Sequence, residues 1–596
     1  MMYSELYKNL NDLFQKRVEE SRTQIALKFK KNGNWISYNW EQYYSLSKCI
    51  GMGLKNIGAK EFDKVCLLGN SSVEWLISDM GVIGIRGISV PIYHSNTPAE
   101  CQYIIENSEA KYIFVEDIQQ YEKIKQIKQK VPTLKKCILM NGEIKDDFVI
   151  TFEELKKIGE RYSIDEFKAI TKEVVDTEHV TYIYTSGTTG NPKGVILNHK
   201  NLIANAQGII NAVADQVKYG DTVLMFLPPA HIFARIVQFV AIYRGLESGY
   251  AESVEKLSEN IIDLKPHFIP AVPRIFEKIY SKIVSGVEEE NILKKNAFYF
   301  FLQVGREYSK AIQNKEQMSG FLKTKYLAAK KVIFSKLKAK FGGRLKLFVS
   351  AGAPLSAEIA EFFHAADISV LEIYGLTEVS GALTSNRPNN YKFGTVGLPI
   401  TSVDLTIAPD GEILCKGAIL MEGYYKNEAA TKEAIDESGW FHTGDIGEID
   451  DDGFVKITDR KKDIIVTAAG KNIAPQNIEN LMKSDRFISQ IIVLGDKMKY
   501  LVALINVNFE EIKKYADNNK IKYNTKEDLL ENKKVIDFIE NILEEKNKEL
   551  PSYATIKKFK ILPNEFSIET GELTPTLKVK RKFCMEKYKD VIAKLY

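Results

Sequence analysis

Tyr184-Thr185-Ser186-Gly187-Thr188-Thr189-Gly190-Asn191-Pro192-Lys193-Gly194 is the stretch on which the reading of this chain turns. An apolar run, Val180–Ile183, leads into it and another, Val195-Ile196-Leu197, leads out, so the loop joins two strands. Gly187, Gly190 and Gly194 lack a Cβ, which lets backbone N–H groups converge on an anion. Thr185, Ser186, Thr188 and Thr189 add hydroxyl donors, and Lys193 adds a mobile positive charge suited to a leaving pyrophosphate. The spacing is not that of the Walker loop, Gly-x4-Gly-Lys-Ser/Thr. A flexible turn is the simpler account of any glycine-rich segment. Hydroxyls, glycines and a lysine in this order favour phosphate handling.

Bulk properties narrow the setting. The 596 residues exceed one ordinary domain, and 45% apolar with 27% charged residues is the balance of a globular enzyme with ample core. A net charge of +4 is small for this length and argues against nucleic acid as a partner. Lysine-rich runs at 123–130 and 323–340 read as solvated helix faces, without a strong apolar stripe to favour a membrane surface. The 6 cysteines are scattered with no CxxC pair, so neither a zinc site nor a redox motif is indicated and buried free thiols are expected. Neither a signal peptide nor a spanning segment is evident. A reducing cytoplasm fits, with peripheral attachment to the inner membrane face an open alternative. Oligomeric state is not encoded in any feature read here.

Working outward, Val65–Asn70 reads as a buried strand and turn, Glu74–Ile85 as a helix, and Ile88–Pro91 as the next strand. Lys111–Val115 and Cys137–Met140 repeat the theme, so parallel α/β layers are expected. About 281–340, proline-free and helical in spacing, reads as a long helical insertion. After Gly397, short runs separated by turns predict antiparallel strands. Beyond Asp459 a smaller α+β unit follows, with its own helical insertion at about 509–550. The expected division is therefore 1–459 and 460–596.

Three further segments extend the chemistry of the loop. Tyr374-Gly375-Leu376-Thr377-Glu378 follows the apolar run Val370–Ile373. It offers an aromatic plane for adenine, the Thr377 hydroxyl for a phosphate, and the Glu378 carboxylate for Mg²⁺, which prefers one or two carboxylates plus phosphate oxygens. Trp440–Asp445 places Asp445 after a tight turn, able to accept from both ribose hydroxyls or simply to cap the turn. Lys578–Lys582 carries four basic residues that by themselves read as a basic tail.

Together these motifs, in this order, resemble the adenylate-forming (AMP-binding) superfamily over nearly the whole chain. The forms Thr574-Pro575-Thr576-Leu577-Lys578 and Gly439–Ile465 are similar to those of long-chain fatty acyl-CoA synthetases. The resemblance implies a large N-terminal domain of layered α/β subdomains with a β-rich subdomain, and a small mobile α+β C-terminal domain. It implies that Ser350–Leu355, with Gly352 and Ala353, flanks adenine, and that Arg460 reaches the nucleotide. Asp459 or Arg460 would be the hinge, Lys471 would lie on the loop that swings in for thioester formation, and Lys578 would contact the carboxylate and α-phosphate. Two positions depart from the usual pattern, Ala351 and Leu577, where other members carry glycine. Leu227–Arg235 resembles a segment reaching the acid pocket, with His231 either placing the substrate or serving structure. The activity implied is activation of a long-chain fatty acid by ATP and Mg²⁺ to acyl-AMP, then transfer to CoA. Other readings are a fatty acyl-AMP ligase serving a carrier protein, an aryl or short-chain acid ligase, and a non-enzymatic nucleotide-binding regulator.

Overall fold

The computed structural model describes residues 7–185, 191–468, 471–574 and 578–596. Two large sheets form the body. In the eight-stranded sheet, Lys64–Gly69 lies between Ile88–Tyr93 and Tyr112–Val115, all parallel, and Lys136–Leu139 follows. These strands hold continuous apolar runs such as Val65-Cys66-Leu67-Leu68, because helices cover both faces and every position of that run is buried. The strands His179–Thr185 and Lys193–Asn198 that flank the glycine-rich loop pair antiparallel in the same sheet, with Thr185 opposite Lys193. The loop's Ser186, Gly187, Thr188, Thr189 and Gly190 lie outside the described residues.

The nine-stranded sheet supplies the second half. Its parallel strands Thr222–Met225, Phe268–Ala271, Leu347–Ala351 and Ser369–Tyr374 end on the same side. Side chains alternate across it. Leu347, Val349 and Ala351 face the helices His199–Val213 and Ile232–Arg244, whereas Phe348 joins a separate core under the helical insertion. That insertion consists of Pro273–Glu288, Ile292–Gln313 and Gly320–Ala329, a five-residue π turn at Lys330–Phe334, and Ser335–Ala339. Tyr308 stacks on Tyr326 at 3.7 Å and ties two of these helices together.

Val403–Ile407, Glu412–Gly417, Phe441–Ile449 and Val455–Arg460 make the expected antiparallel sheet. Arg460 is its last residue, paired with Asp445. From Ile465 onward the apolar side chains gather into two cores of their own, around the three-stranded sheet Ile488–Leu494, Leu501–Val507 and Ile556–Ile561. Phe509–Asn518, Lys526–Leu530 and Lys533–Asn547 are the helices inserted before its last strand. This C-terminal unit docks on the helical insertion through polar contacts. The Arg274 Nη2 donates to Ser489 Oγ (2.7 Å), and Lys483 and Lys514 pair with Glu277 and Glu289 at 3.2 and 2.6 Å. All six cysteines are buried free thiols.

Candidate active site

The carboxyl ends of parallel strands are where an open α/β sheet leaves a crevice, because the chain must turn away there. Tyr374 ends one such strand, and the chain reverses at once. Leu383 N donates to Tyr374 O (2.7 Å) and Gly381 N to Leu376 O (3.1 Å). A Cβ on Gly375 would stand 1.6 Å from Gly381 O, so only glycine permits this reversal. The reversal holds Thr377 buried and Glu378 half-buried in a short 3-10 turn, Thr377–Val379. Asn205 Nδ2 locks it from the neighbouring helix by donating to Val379 O and Ala382 O at 2.9 and 2.7 Å.

Glu378 is fastened at both ends. Its carbonyl accepts from Met421 N (2.8 Å), and its Oε1 accepts from Tyr424 Oη at 2.9 Å. Lys193 Nζ sits 4.8 Å from the centre of the Tyr424 ring. Tyr424 therefore joins the glycine-rich hairpin to the Tyr374–Glu378 turn, a role that no local pattern around Gly423-Tyr424 announced. Burial pushes the Tyr424 hydroxyl up, with Glu378 adding to the shift, so it acts as a donor.

Tyr374 and Asp445 meet across 71 residues of sequence. Tyr374 Oη donates to Asp445 Oδ2 at 2.7 Å, and Arg460 Nε stands 3.4 Å from Asp445 Oδ1. Burial raises the Asp445 carboxyl, against the pull of Arg460, the tyrosine hydrogen bond and Lys578. Glu412 fixes the turn before it, accepting from Gly444 N (2.9 Å) and pairing with Lys461 (2.9 Å). Lys578 completes the group from the C-terminal unit, with its stem partly exposed and its ammonium enclosed. Thr574 braces it, the hydroxyl accepting from Lys578 N (3.0 Å) and Thr574 N donating to Lys578 O (2.8 Å). Enclosure lowers the Lys578 ammonium to about 8, helped by Arg460 and opposed by Asp445 and Glu378. A cluster of cations held next to two carboxylates at a sheet crevice is suited to a polyanion.

From this corner an apolar tunnel runs along the nine-stranded sheet. Gly352, Gly375, Gly381 and His231 line it at the carboxyl ends of the strands; Val217, Leu246 and Phe268 line it at the amino ends. Gly352 adopts φ +91°, and Ala351 lies against the tunnel. Ala353 is half-buried in the same turn. His231 caps the helix Ile232–Arg244, its Nδ1 accepting from Phe233 N at 3.1 Å. Enclosure, with Lys578 adding, pushes the imidazole down to about 3, so the ring is neutral. Since Nδ1 accepts, the ring proton is on Nε2. His231 thus both caps a helix and lines the tunnel.

Two expected residues stand elsewhere. Asp459 is buried, accepting from Arg460 N (2.6 Å) and, through Oδ2, from Gln476 N (3.3 Å). The helix Pro475–Lys483 has no side-chain cap of its own at Ala474, so Asp459 caps it from the preceding sheet. Burial raises the Asp459 carboxyl to about 6. Lys471 lies on the small hairpin Ile465–Val466/Asn472–Ile473, its ammonium 5.8 Å from the Tyr553 ring and turned to the C-terminal unit. Ala469, Gly470, Pro575, Thr576 and Leu577 lie outside the described residues. Among the described residues, no cluster of three or more His, Cys, Asp or Glu side chains is set to hold a metal, and no helix is long and apolar enough to cross a membrane.

Comparison with known proteins places the chain. The AMP-binding enzyme family matches residues 14–425, and the AMP-binding enzyme C-terminal domain matches 462–596. The chain is 33% identical over 566 residues to long-chain-fatty-acid–CoA ligase FadD15 of Mycobacterium bovis, covering 95% of this chain and 93% of that one. It is 32% identical to long-chain-fatty-acid–CoA ligase ACSBG2 of Homo sapiens, covering 98% and 92%. The fold is shared with the anthranilate CoA ligase AuaEII solved with anthranoyl-AMP (TM-score 0.75, 18% identity, all of both chains). It is also shared with a Mycobacterium tuberculosis fatty acyl CoA synthetase (TM-score 0.63, 21% identity, 98% and 99% covered). With its glycine-rich hairpin, its Tyr374–Asp445 corner and both domains matched, the chain belongs to the AMP-binding enzyme family.

Proposed function

We propose that this protein is a long-chain fatty acid:CoA ligase that works through an acyl-adenylate. The observation that carries the reading is the apolar tunnel leading to a corner where Lys578, Arg460 and Lys193 face Asp445 and Glu378. An apolar acid fills the tunnel with its carboxylate at the mouth, and a nucleotide occupies the polar corner. The full-length similarity to named long-chain fatty acid ligases supports the same substrate class.

The chemistry follows from charge. Carboxylate and ATP repel each other, so fixed cations at the mouth lower the barrier to their approach. Tyr374 and Gly352 flank the adenine, Asp445 takes the ribose hydroxyls, and Thr377 and the glycine-rich hairpin hold phosphates. Glu378, fixed by Tyr424, is suited to Mg²⁺ because that ion takes one or two carboxylates together with phosphate oxygens. Bound there, Mg²⁺ offsets charge on the triphosphate. The neutral His231 offers its Nε2–H to the acid at the tunnel mouth. A carboxylate oxygen bonds to the α-phosphorus as the bond to the bridging oxygen breaks, and pyrophosphate departs past Lys193. Lys578 stabilises the charge passing through the α-phosphate. The small unit then turns about Asp459 and Arg460, which withdraws Lys578 and brings Lys471 inward. The CoA thiolate attacks the acyl carbon and AMP leaves.

Release of AMP from ATP with oleate and Mg²⁺, with and without CoA, tests the reading. Multiple turnovers that need CoA, with thioester formed in step, are expected. A single burst of acyl-AMP indifferent to CoA would instead favour a carrier-protein acceptor, and no AMP with any acid would overturn the assignment.

A further inference from the structure

Lys578 reaches the nucleotide corner only while the C-terminal unit keeps its present orientation, so whatever fastens that unit also places the lysine. The fastening lies away from the corner, at the start of the helical insertion. Arg274 is the second residue of the helix Pro273–Glu288, behind Pro273 at its first position. Val272, just before, packs on the turn that flanks the tunnel mouth, where a Cβ on Gly352 would meet it at 3.7 Å. The Arg274 guanidinium crosses to the other unit and holds one residue twice. Nη1 donates to Ser489 O, and Nη2 donates to Ser489 Oγ at 2.7 Å. Ser489 is available because a register shift between Ile488 and Gln490 leaves it without a partner in Leu501–Val507. Such a bulge re-aims a residue away from the ladder, and a planar guanidinium fork matches the two acceptors it presents.

Glu277, one helical turn on, gathers the charges of both units. Its Oε2 stands 3.5 Å from Arg274 Nη1, and its Oε1 accepts from Lys483 Nζ at 3.2 Å. The side chains of Arg274, Glu277 and Lys483 are only 18%, 13% and 22% exposed. Two further pairs, Lys546 with Glu358 and Lys514 with Glu289, join the units where the carboxylates are 39% and 62% exposed, so solvent screens them more and they contribute less.

The clasp is tied to the hinge through one helix. Lys483 ends Pro475–Lys483, and Asp459 caps the first turn of that helix by accepting from Gln476 N. At ~1.5 Å of rise per residue the cap and Lys483 are about 10 Å apart. Ile478 and Met482 pack this helix against Ile488 and Ile491 in one core, so helix and strand move together. A turn of the unit about Asp459 and Arg460 must therefore carry Lys483 off Glu277 and Ser489 off Arg274 in one motion. We infer that Arg274, aided by Glu277, is a positioning residue for adenylation: it clasps Ser489, holds the C-terminal unit where Lys578 meets the nucleotide corner, and lets go for transfer to CoA. The inference rests on the ligase reading and adds to it the contacts that hold its first half-reaction. Polar contacts suit a reversible clasp, because water replaces them when the units part.

Arg274→Met and Lys483→Gln test this in the full chain by separating the half-reactions. Oleate-dependent pyrophosphate exchange reads the first, and thioester formation from supplied oleoyl-AMP and CoA reads the second. Losing hydrogen bonds to a charged group should lower exchange by about tenfold or more in Arg274→Met, and by less in Lys483→Gln. Thioester formation should stay at or above the wild-type rate in both. An equal fall in both half-reactions, the mark of a merely structural residue, would overturn the inference, as would exchange within twofold of wild type. Orientation is read without catalysis from spin labels at Ile292→Cys on the insertion and Lys513→Cys on the C-terminal unit, two exposed positions in a chain whose native thiols are all buried. The otherwise wild-type chain should give one short distance, and Arg274→Met should add a longer one; identical distributions would overturn the clasp. Should the wild type exchange pyrophosphate with no acid, the ligase reading fails on its own account, and the label distances still decide whether Arg274 holds the unit.

Discussion

Shortening the tunnel should change which acid is used before it changes whether any acid is used. Val240 lies on the tunnel wall, in the helix that His231 caps. At about 1.5 Å of rise per residue it stands roughly 13 Å beyond His231. Extended polypeptide advances about 3.4 Å over three backbone bonds, or roughly 1.1 Å per bond, so ~13 Å takes about a dozen bonds of an extended acyl chain. Val240→Phe puts a ring into the tunnel at that depth. Decanoate ends short of it, whereas stearate must leave about six methylenes unburied, at ~0.8 kcal/mol each or about 5 kcal/mol in all. Partial accommodation by a bent chain reduces this, so a loss of about 10²- to 10³-fold is expected in the stearate-to-decanoate ratio of kcat/KM. The assay is acid-dependent pyrophosphate exchange with both acids in parallel. Overpacking costs stability by about 1–3 kcal/mol, but the ratio is measured within one protein and is insensitive to that loss. A ratio within threefold of wild type would refute the tunnel as the acyl site.

Other expectations rest on single side chains. Lys578→Ala should lower adenylation by about 10²- to 10³-fold with little loss of Tm. In the wild type, kcat/KM for ATP should fall as pH rises through about 8, where the free enzyme loses the ammonium proton; a flat profile to pH 9.5 would count against Lys578. The same depressed value makes its contribution to stability rise between about 8 and the ordinary lysine value, because only the unfolded chain is protonated there. For Asp459, held up to about 6, the folded state keeps the proton through a window where the unfolded carboxyl has lost it. Its contribution to stability therefore falls as pH rises from about 4 to 6, by an amount on the order of 2–3 kcal/mol, and Asp459→Asn should remove this component. Parallel Tm-against-pH curves for variant and wild type would contradict it. Gly375→Ala should cost more than the ~1–3 kcal/mol of ordinary overpacking, because its Cβ meets a backbone carbonyl that cannot rotate away, as a chemical denaturation midpoint would record.

Strands, helices and motifs were legible in the chain because their signals are local. Val65–Leu68 reads as a buried strand from composition alone, the turns after Gly397 declare antiparallel pairing, and the proline-free texture of 281–340 declares helix. The glycine-rich hairpin, the Tyr374–Glu378 turn and Asp445 were separately recognisable because each needs particular residue types at fixed short spacing. Their meeting was not. Tyr374 and Asp445 are joined only by strand order, and Tyr424 reaches Glu378 and Lys193 only because the Gly423–Tyr424 strand pairs with Lys193–Asn198. The tunnel is a property of facing layers, since alternation along Leu347–Ala351 does not say which face has a gap. Packing likewise decided that Phe321 and Leu327 stay in water, whereas the spacing of 323–340 had shown no strong apolar stripe. The sequence specifies each element through short-range sterics and burial, while function depends on distances between elements, which arise only when all of them pack at once.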